Sequence, residues 1–207
     1  MAVIVDYDAG NLRSVQRACA EVGIKATISN KPAILRNADR IIFPGVGAAG
    51  PAMRSIRETG IDVALKEAFN AGTPILGICL GLQISLEYSE ENETSTLGFI
   101  PGQVVRFRME DPAFKVPHMG WNEINCTQPH PLLAGIDQFQ EYYFVHGFYP
   151  KLADDRYIFA TATYEKTFCC AVGYKNYFGT QFHPEKSGQA GLDLLERFKD
   201  WGGVDVK

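Results

Sequence analysis

Apolar positions along the first half of the chain follow two alternating rhythms. Short segments rich in aliphatic residues, Ala2 to Val5, Lys25 to Ile28, Arg40 to Phe43 and Ile75 to Ile78, have the length and composition of buried strands. Between them the spacing becomes helical. Leu12, Val15, Ala18, Cys19 and Val22 share one face after the turn Asp8-Ala9-Gly10-Asn11, which supplies capping residues. Residues 51–59 and 61–70 repeat the helical period, the second with Val63, Ala64, Leu65, Ala68 and Phe69, and it stops at Gly72-Thr73-Pro74. Leu80 to Glu87 reads as a helix leaving the fourth strand. Such alternation predicts a parallel sheet covered on both faces.

Beyond the polar loop Ser89 to Thr96 the texture changes to strands. Val104 to Arg108, Asn122 to Cys126, Tyr142 to Val145, Tyr157 to Thr163, Phe168 to Tyr174 and Tyr177 to Phe182 are dominated by aromatic and β-branched residues, with a turn at Lys175-Asn176. A last helix, Gln189 to Trp201, turns Leu192, Leu195, Phe198 and Lys199 inward and ends at Gly202-Gly203. No repeat or linker interrupts the chain. The pattern predicts one domain over 1–207: α/β, a flavodoxin-like parallel sheet with helices on both faces, extended by an antiparallel β region. In such sheets the chemistry gathers at the carboxyl ends of the parallel strands.

Composition narrows the function classes. At 207 residues and 46% hydrophobic content the chain can bury one substantial core. A net charge of −4 with scattered Lys and Arg excludes a nucleic-acid footprint. The five cysteines, Cys19, Cys79, Cys126, Cys169 and Cys170, show no zinc spacing, and adjacent Cys169-Cys170 in a strand point to opposite faces. That is a reduced, cytoplasmic pattern. Met1 to Asp6 lacks the basic start of a signal peptide, and no stretch reaches the ~20 apolar residues of a membrane span.

The chemistry begins at Pro74-Ile75-Leu76-Gly77-Ile78-Cys79-Leu80-Gly81-Leu82-Gln83. A cysteine at the end of a buried strand, with glycine two positions either side, has the layout of a nucleophile elbow. A strand turning sharply into a helix strains its corner residue and leaves no room for side chains beside it. The helix start that follows would stabilise a thiolate. A plain buried cysteine is the competing reading, and Phe178-Gly179-Thr180-Gln181-Phe182-His183-Pro184-Glu185 decides against it. Pro184 forces His183 into an extended conformation. In an extended segment Glu185 projects with His183 and can hold the far imidazole nitrogen.

Gly45-Val46-Gly47-Ala48-Ala49-Gly50 matches the dinucleotide fingerprint literally, but Pro44 and Pro51 bracket it and no acid follows on a next strand about 20 residues on. A better use is electrostatic. Attack on an amide creates an oxyanion needing two N–H donors: the amide of Leu80, and one from the Pro44-Gly45-Val46-Gly47 loop. Its glycines would let a peptide plane turn that donor in or out.

Together these segments resemble the class I (triad) glutamine amidotransferases, and the resemblance runs the whole chain. It implies a Cys79-His183-Glu185 triad that takes ammonia from glutamine through a thioester, with Gln83 helping to hold the substrate and no cofactor or metal. Within that family, Pro44 to Gly47 and Pro117-His118-Met119-Gly120-Trp121-Asn122 are similar to hallmarks of the glutaminase subunit of imidazole glycerol phosphate synthase. The likeness implies a heterodimer with a (β/α)8 cyclase subunit of histidine biosynthesis, met by His118, Met119, Trp121, Asn122 and Lys186. Read without it, Pro117 to Asn122 is an exposed loop and His118 an ordinary surface or turn histidine. Relatives usually read Val-His-Ser-Tyr where this chain has Val145-His146-Gly147-Phe148. Backbone groups of His146, Gly147 and Phe148 would bind the α-amino and carboxylate ends of glutamine. Two other readings stay open: a paralogous glutaminase feeding a different synthase, such as an amidino-sugar or vitamin B6 enzyme, and a scaffold subunit with a retired site.

Overall fold

In the computed structural model, which describes residues 1–137 and 140–203, the first half alternates as its pattern predicts. The order is β1 (Ala2–Val5), α1 (Leu12–Glu21), β2 (Ala26–Ser29), α2 (Pro32–Arg36), β3 (Arg40–Gly45), α3 (Ala49–Thr59), α4 (Ile61–Asn70), β4 (Ile75–Cys79) and α5 (Leu80–Gln83). The second half carries β5 (Tyr88–Ser89), β6 (Thr94–Ser95), β7 (Gly102–Arg106), β8 (His118–Glu123), β9 (Asn125–Cys126), β10 (Glu141–His146), β11 (Phe148–Leu152), β12 (Ile158–Tyr164), β13 (Lys166–Tyr174), β14 (Tyr177–Thr180) and α6 (Gly188–Asp200).

One eight-stranded sheet runs β2-β1-β3-β4-β14-β13-β12-β9. Its first five strands pair in parallel, and antiparallel pairing takes over from β14 to β9. Successive residues alternate between two apolar layers: Ile4, Ile42, Leu76 and Phe178 join one, and Val3, Ile41, Ile75 and Tyr177 the other. Cys169 and Cys170 divide between the same two layers, and all five cysteines are free.

The antiparallel residues do not simply widen this sheet. β8 and β10 form a separate ribbon, and β11-β7-β5-β6 a separate small sheet. Three expectations change accordingly. The polar stretch 89–96 folds back on itself through β5 and β6. Residues 148–152 are a strand that Pro150 conceals in the sequence, tolerated because β11 lies at an edge. The expected helix 80–87 stops at Gln83. The Glu87 amide, which that helix would send back to Gln83, donates instead to the Gly102 carbonyl, and the carbonyls of Ile84, Ser85 and Leu86 accept from the amides of Leu97, Phe99 and Gly98. At the far edge, β9 pairs only with Ala160 and Thr161. Thr127 and Gln128 donate to the neighbouring carbonyls of Phe159, Ile158 and Arg156.

Candidate active site

β4 lies mid-sheet between β3 and β14, and its carboxyl end presents Cys79 at φ 53 and ψ −106, a strained corner for a residue with a side chain. The flanking glycines are there for room. A Cβ at Gly77 would overlap the Tyr177 hydroxyl, and one at Gly81 the Phe43 carbonyl oxygen. With α5 only one turn long, the helix start contributes less to the sulfur than the sequence suggests. Side chains do more. The Gln181 Nε2 donates to the Cys79 sulfur at 3.5 Å, while the Val145 carbonyl oxygen, at 4.0 Å, is too far to hold a thiol proton firmly.

His183 follows β14 in an extended conformation (φ −102, ψ 97), and Pro184 then starts a short 3₁₀ turn. Glu185 therefore reaches the imidazole from that turn, not as a same-face neighbour on a strand. The backbone of Tyr143 in β10 fixes the geometry, accepting from the His183 amide and donating to the Ser187 hydroxyl. Glu185 Oε1 accepts from His183 Nδ1 at 2.8 Å and from Asn11 Nδ2 at 2.5 Å. Asn11 is left-handed and makes no cap with its side chain, which spans instead to the acid. Burial opposes charge on His183. The charge and hydrogen bond of Cys79 and the Glu185 carboxylate outweigh it, raising the imidazolium to about 10. Cys79, His183 and Glu185 are thus brought together as the sequence predicts, with sulfur and carboxylate acting on one ring.

Beneath the sulfur runs a chain of buried amides and imidazoles. Gln83 Nε2 donates both to Gln181 Oε1 (3.1 Å) and to the Phe148 carbonyl (2.9 Å). That leaves the Gln83 oxygen as its free group. The Phe148 carbonyl also takes the His146 Nδ1 proton at 2.8 Å, so both its lone pairs are used. His146 Nε2 then accepts from His118 Nδ1 at 3.1 Å, and His118 Nε2 from Asn122 Nδ2 at 3.3 Å. Each ring carries one proton. Burial lowers His118 to about 4 and His146 to about 3, so both are neutral. His118 is no surface histidine; it stacks on Tyr164 inside the ribbon.

Cys79 opens into a cavity of about 420 Å³ lined by Val46, Gly47, Leu80, Gln83, His146, Gly147 and Phe148, with Glu91, Pro117, Val145 and Lys186 completing it. A larger cleft of about 890 Å³ shares Glu91, Pro117, Gly147 and Phe148 but does not reach Cys79, so the smaller one is the candidate site. Gly47 sits at φ 116, a conformation favouring glycine, beside the sulfur. Gly45 does not line the cavity; it pairs with Cys79 in the sheet and packs on the Tyr7 hydroxyl.

The family profile described as Glutamine amidotransferase class-I matches residues 3–200. The chain is a class-I glutamine amidotransferase. The imidazole glycerol phosphate synthase subunit HisH of Desulfovibrio desulfuricans is 50% identical over 206 residues, covering 97% of this chain and 94% of that protein. The subunit of the same name from Syntrophotalea carbinolica is 44% identical, covering 97% and 100%. Two solved structures share the fold. One, described as a glutamine amidotransferase, superposes with a TM-score of 0.75 at 19% identity, over 98% of this chain and 99% of that one. The other, described as PurLQS from Thermotoga maritima, gives 0.73 at 20%, over 96% and 97%.

In this amidotransferase the expected partner-facing residues separate into two groups. On β8, Met119 and Trp121 are 63% and 54% exposed and point away from the protein, whereas His118 and Asn122 point inward, Asn122 also donating to the Thr163 carbonyl. Tyr143 continues the outer face, edge-on to Trp121 at 6.1 Å and beneath the Lys186 ammonium at 5.7 Å. Lys186 thereby borders both this face and the cavity. Asn11, Gln181 and Glu91 escaped the sequence reading. Asn11 looks like a cap and Gln181 like strand interior. Glu91 lies in a stretch read as polar loop, yet it lines the cavity while accepting from the Ala49 amide at 2.8 Å. Partial burial raises its pKa despite that hydrogen bond. Glu91 and Lys186 give the cavity opposite charges, a match for the two ends of a free amino acid.

Proposed function

We propose that this chain is the glutaminase subunit of imidazole glycerol phosphate synthase, a cytoplasmic enzyme of histidine biosynthesis, and that its one domain passes ammonia to a (β/α)8 cyclase partner. The observation that carries the reading is a strained strand-end Cys79 beside a His183 charged by its surroundings, at the floor of an amino-acid-sized cavity. In the resting pair His183 already holds the proton given up by Cys79, and Glu185 fixes the orientation of the imidazolium. The sulfur attacks the side-chain carbonyl of glutamine, and the oxyanion is received by the Leu80 amide and an amide of the Val46–Gly47 segment. His183 returns the proton to the departing nitrogen, so ammonia leaves and a thioester remains. Water, deprotonated by the same imidazole, then releases glutamate and restores the thiol.

Glu91 takes the ammonium of the substrate, the Gln83 oxygen a further donor, and Lys186 lies toward the carboxylate. The outer face of Met119, Trp121, Tyr143 and Lys186 meets the partner next to the cavity mouth, which suits transfer of ammonia without release to solvent. Treatment with a glutamine analogue carrying an electrophilic side chain, followed by peptide mass analysis, tests the assignment. Modification confined to Cys79, together with glutamate release that rises when the cyclase subunit is added, supports it. Labelling spread over the cysteines, or no response to the cyclase, would refute it.

A further inference from the structure

Gln181 is wholly buried just past the end of β14, on the segment that leads to His183, and its amide has one orientation open to it. Its oxygen is held by Gln83, so its N–H group must face the Cys79 sulfur. The same chain continues without a break through the Phe148 carbonyl, His146 and His118 to Asn122, on the strand that exposes Met119 and Trp121. Apart from the Gln83 oxygen, which is left toward the cavity, the groups that face one another along it are paired.

We propose that Gln181 is a positioning residue for the nucleophile, and that the buried chain from Gln83 to Asn122 ties the orientation of its amide to the partner-facing strand β8. The proposal rests on Cys79 being the nucleophile. A hydrogen bond to a charged sulfur favours the reactive form and aims it along the cavity. No other side-chain amide contacts the sulfur among the described residues, and the one-turn α5 offers little in its place. Movement of β8 would be felt at the sulfur as a turn of the Gln181 amide, because each link holds the next through one defined donor and acceptor.

The test uses the full chain with its cyclase subunit for turnover, and the chain alone for alkylation by iodoacetamide at pH 7. Gln181→Met keeps the length and removes the donor. The expected result is a kcat for glutamine hydrolysis lower by about 10-fold or more, KM changed less than about threefold, and Cys79 alkylation slowed about 10-fold. Gln181→Glu, of equal volume but with an acceptor facing the sulfur, should be slower still, and serves if the methionine variant does not fold. Asn122→Leu should slow alkylation about two- to threefold with Gln181 present and have no further effect in Gln181→Met. Wild-type rates in Gln181→Met would overturn the positioning role. Independent effects of Asn122→Leu and Gln181→Met would overturn the link to β8. If Cys79 of the unmodified chain reacts no faster than exposed Cys126, the nucleophile assignment itself fails, a result distinct from both.

Discussion

His183 and the pair His118–His146 are buried alike, and the same loss of water acts against charge on all three rings. Around His118 and His146 the neighbours are neutral dipoles and aromatic rings, so burial prevails and lowers them to about 4 and about 3. Around His183 the Cys79 sulfur and the Glu185 carboxylate prevail instead, and the ring is raised to about 10. The charge on His183 itself helps to keep His146 neutral. Burial alone thus makes a histidine a rigid hydrogen-bond connector. Burial beside a cysteine sulfur and a carboxylate makes it a ring that keeps its proton.

The sharpest way to break the contrast is to remove its source. Cys79→Ala should reduce glutamine-dependent turnover to background, a loss on the order of 10⁶, while synthesis with added ammonium salt persists in the assembled enzyme. Survival of glutaminase activity, measured as glutamate release, would place the chemistry elsewhere. Next come the groups around the imidazole. His183→Ala should approach the Cys79 loss, and Glu185→Gln should cost about 10⁴ in kcat because it keeps the base and disturbs its tautomer. Asn11→Leu should cost about 10-fold, since it frees the acid without removing it. Steady-state rates in that order are expected; a fully active His183→Ala would contradict the triad.

Farther from the ring, Gly47→Ala confines a residue at φ 116 and should change the ratio of partner-stimulated to basal rate by up to about 10², the worth of one oxyanion donor, with little effect on glutamine KM. An unchanged ratio would make this segment an ordinary turn.

The smallest effect is on stability, and here the two regions have opposite signs. His183 binds its proton more tightly in the folded chain, so its contribution is complete below pH 6.5 and is lost as the pH rises toward 10. His118 and His146 resist protonation when folded, so stability falls as the pH drops below 6.5 toward 4 and 3. Denaturant titrations across pH 4 to 10 should show both slopes. Cys79→Ala should reduce the alkaline slope only, and His118→Phe should reduce the acid slope only, the buried His146 and His130 keeping the rest of it. Identical profiles in all three proteins would contradict this assignment of the two slopes.

Cys79 with its elbow glycines, the His183–Glu185 pair and the alternating core were legible in the sequence because each is enforced locally. Gly77 and Gly81 answer to atoms that crowd one turn, and Pro184 fixes His183 by its own ring. Asn11, Gln181 and Glu91 were not legible. Their roles depend on partners 174, 102 and 42 positions away, and no local pattern distinguishes an asparagine that caps from one that reaches across the sheet. The length of α5 was missed for the same reason, since residues 97–99 end it. His118 was misread because exposure was inferred from a stretch whose alternate residues point opposite ways.

The edge at β12 has a consequence for the protein in a crowded cell. A bare seven-residue edge strand is a template on which another chain can lay down a strand of its own, the first step toward aggregation. Here two residues of β9 occupy its middle, and Thr127 and Gln128 take up the carbonyls beside them. Part of the lock is made by the side chains of Thr127 and Gln128, and that part can be removed without touching core or site. Thr127→Val with Gln128→Leu would leave an enzyme with the same chemistry but a surface prone to self-association, its shelf life set by concentration and no longer by folding.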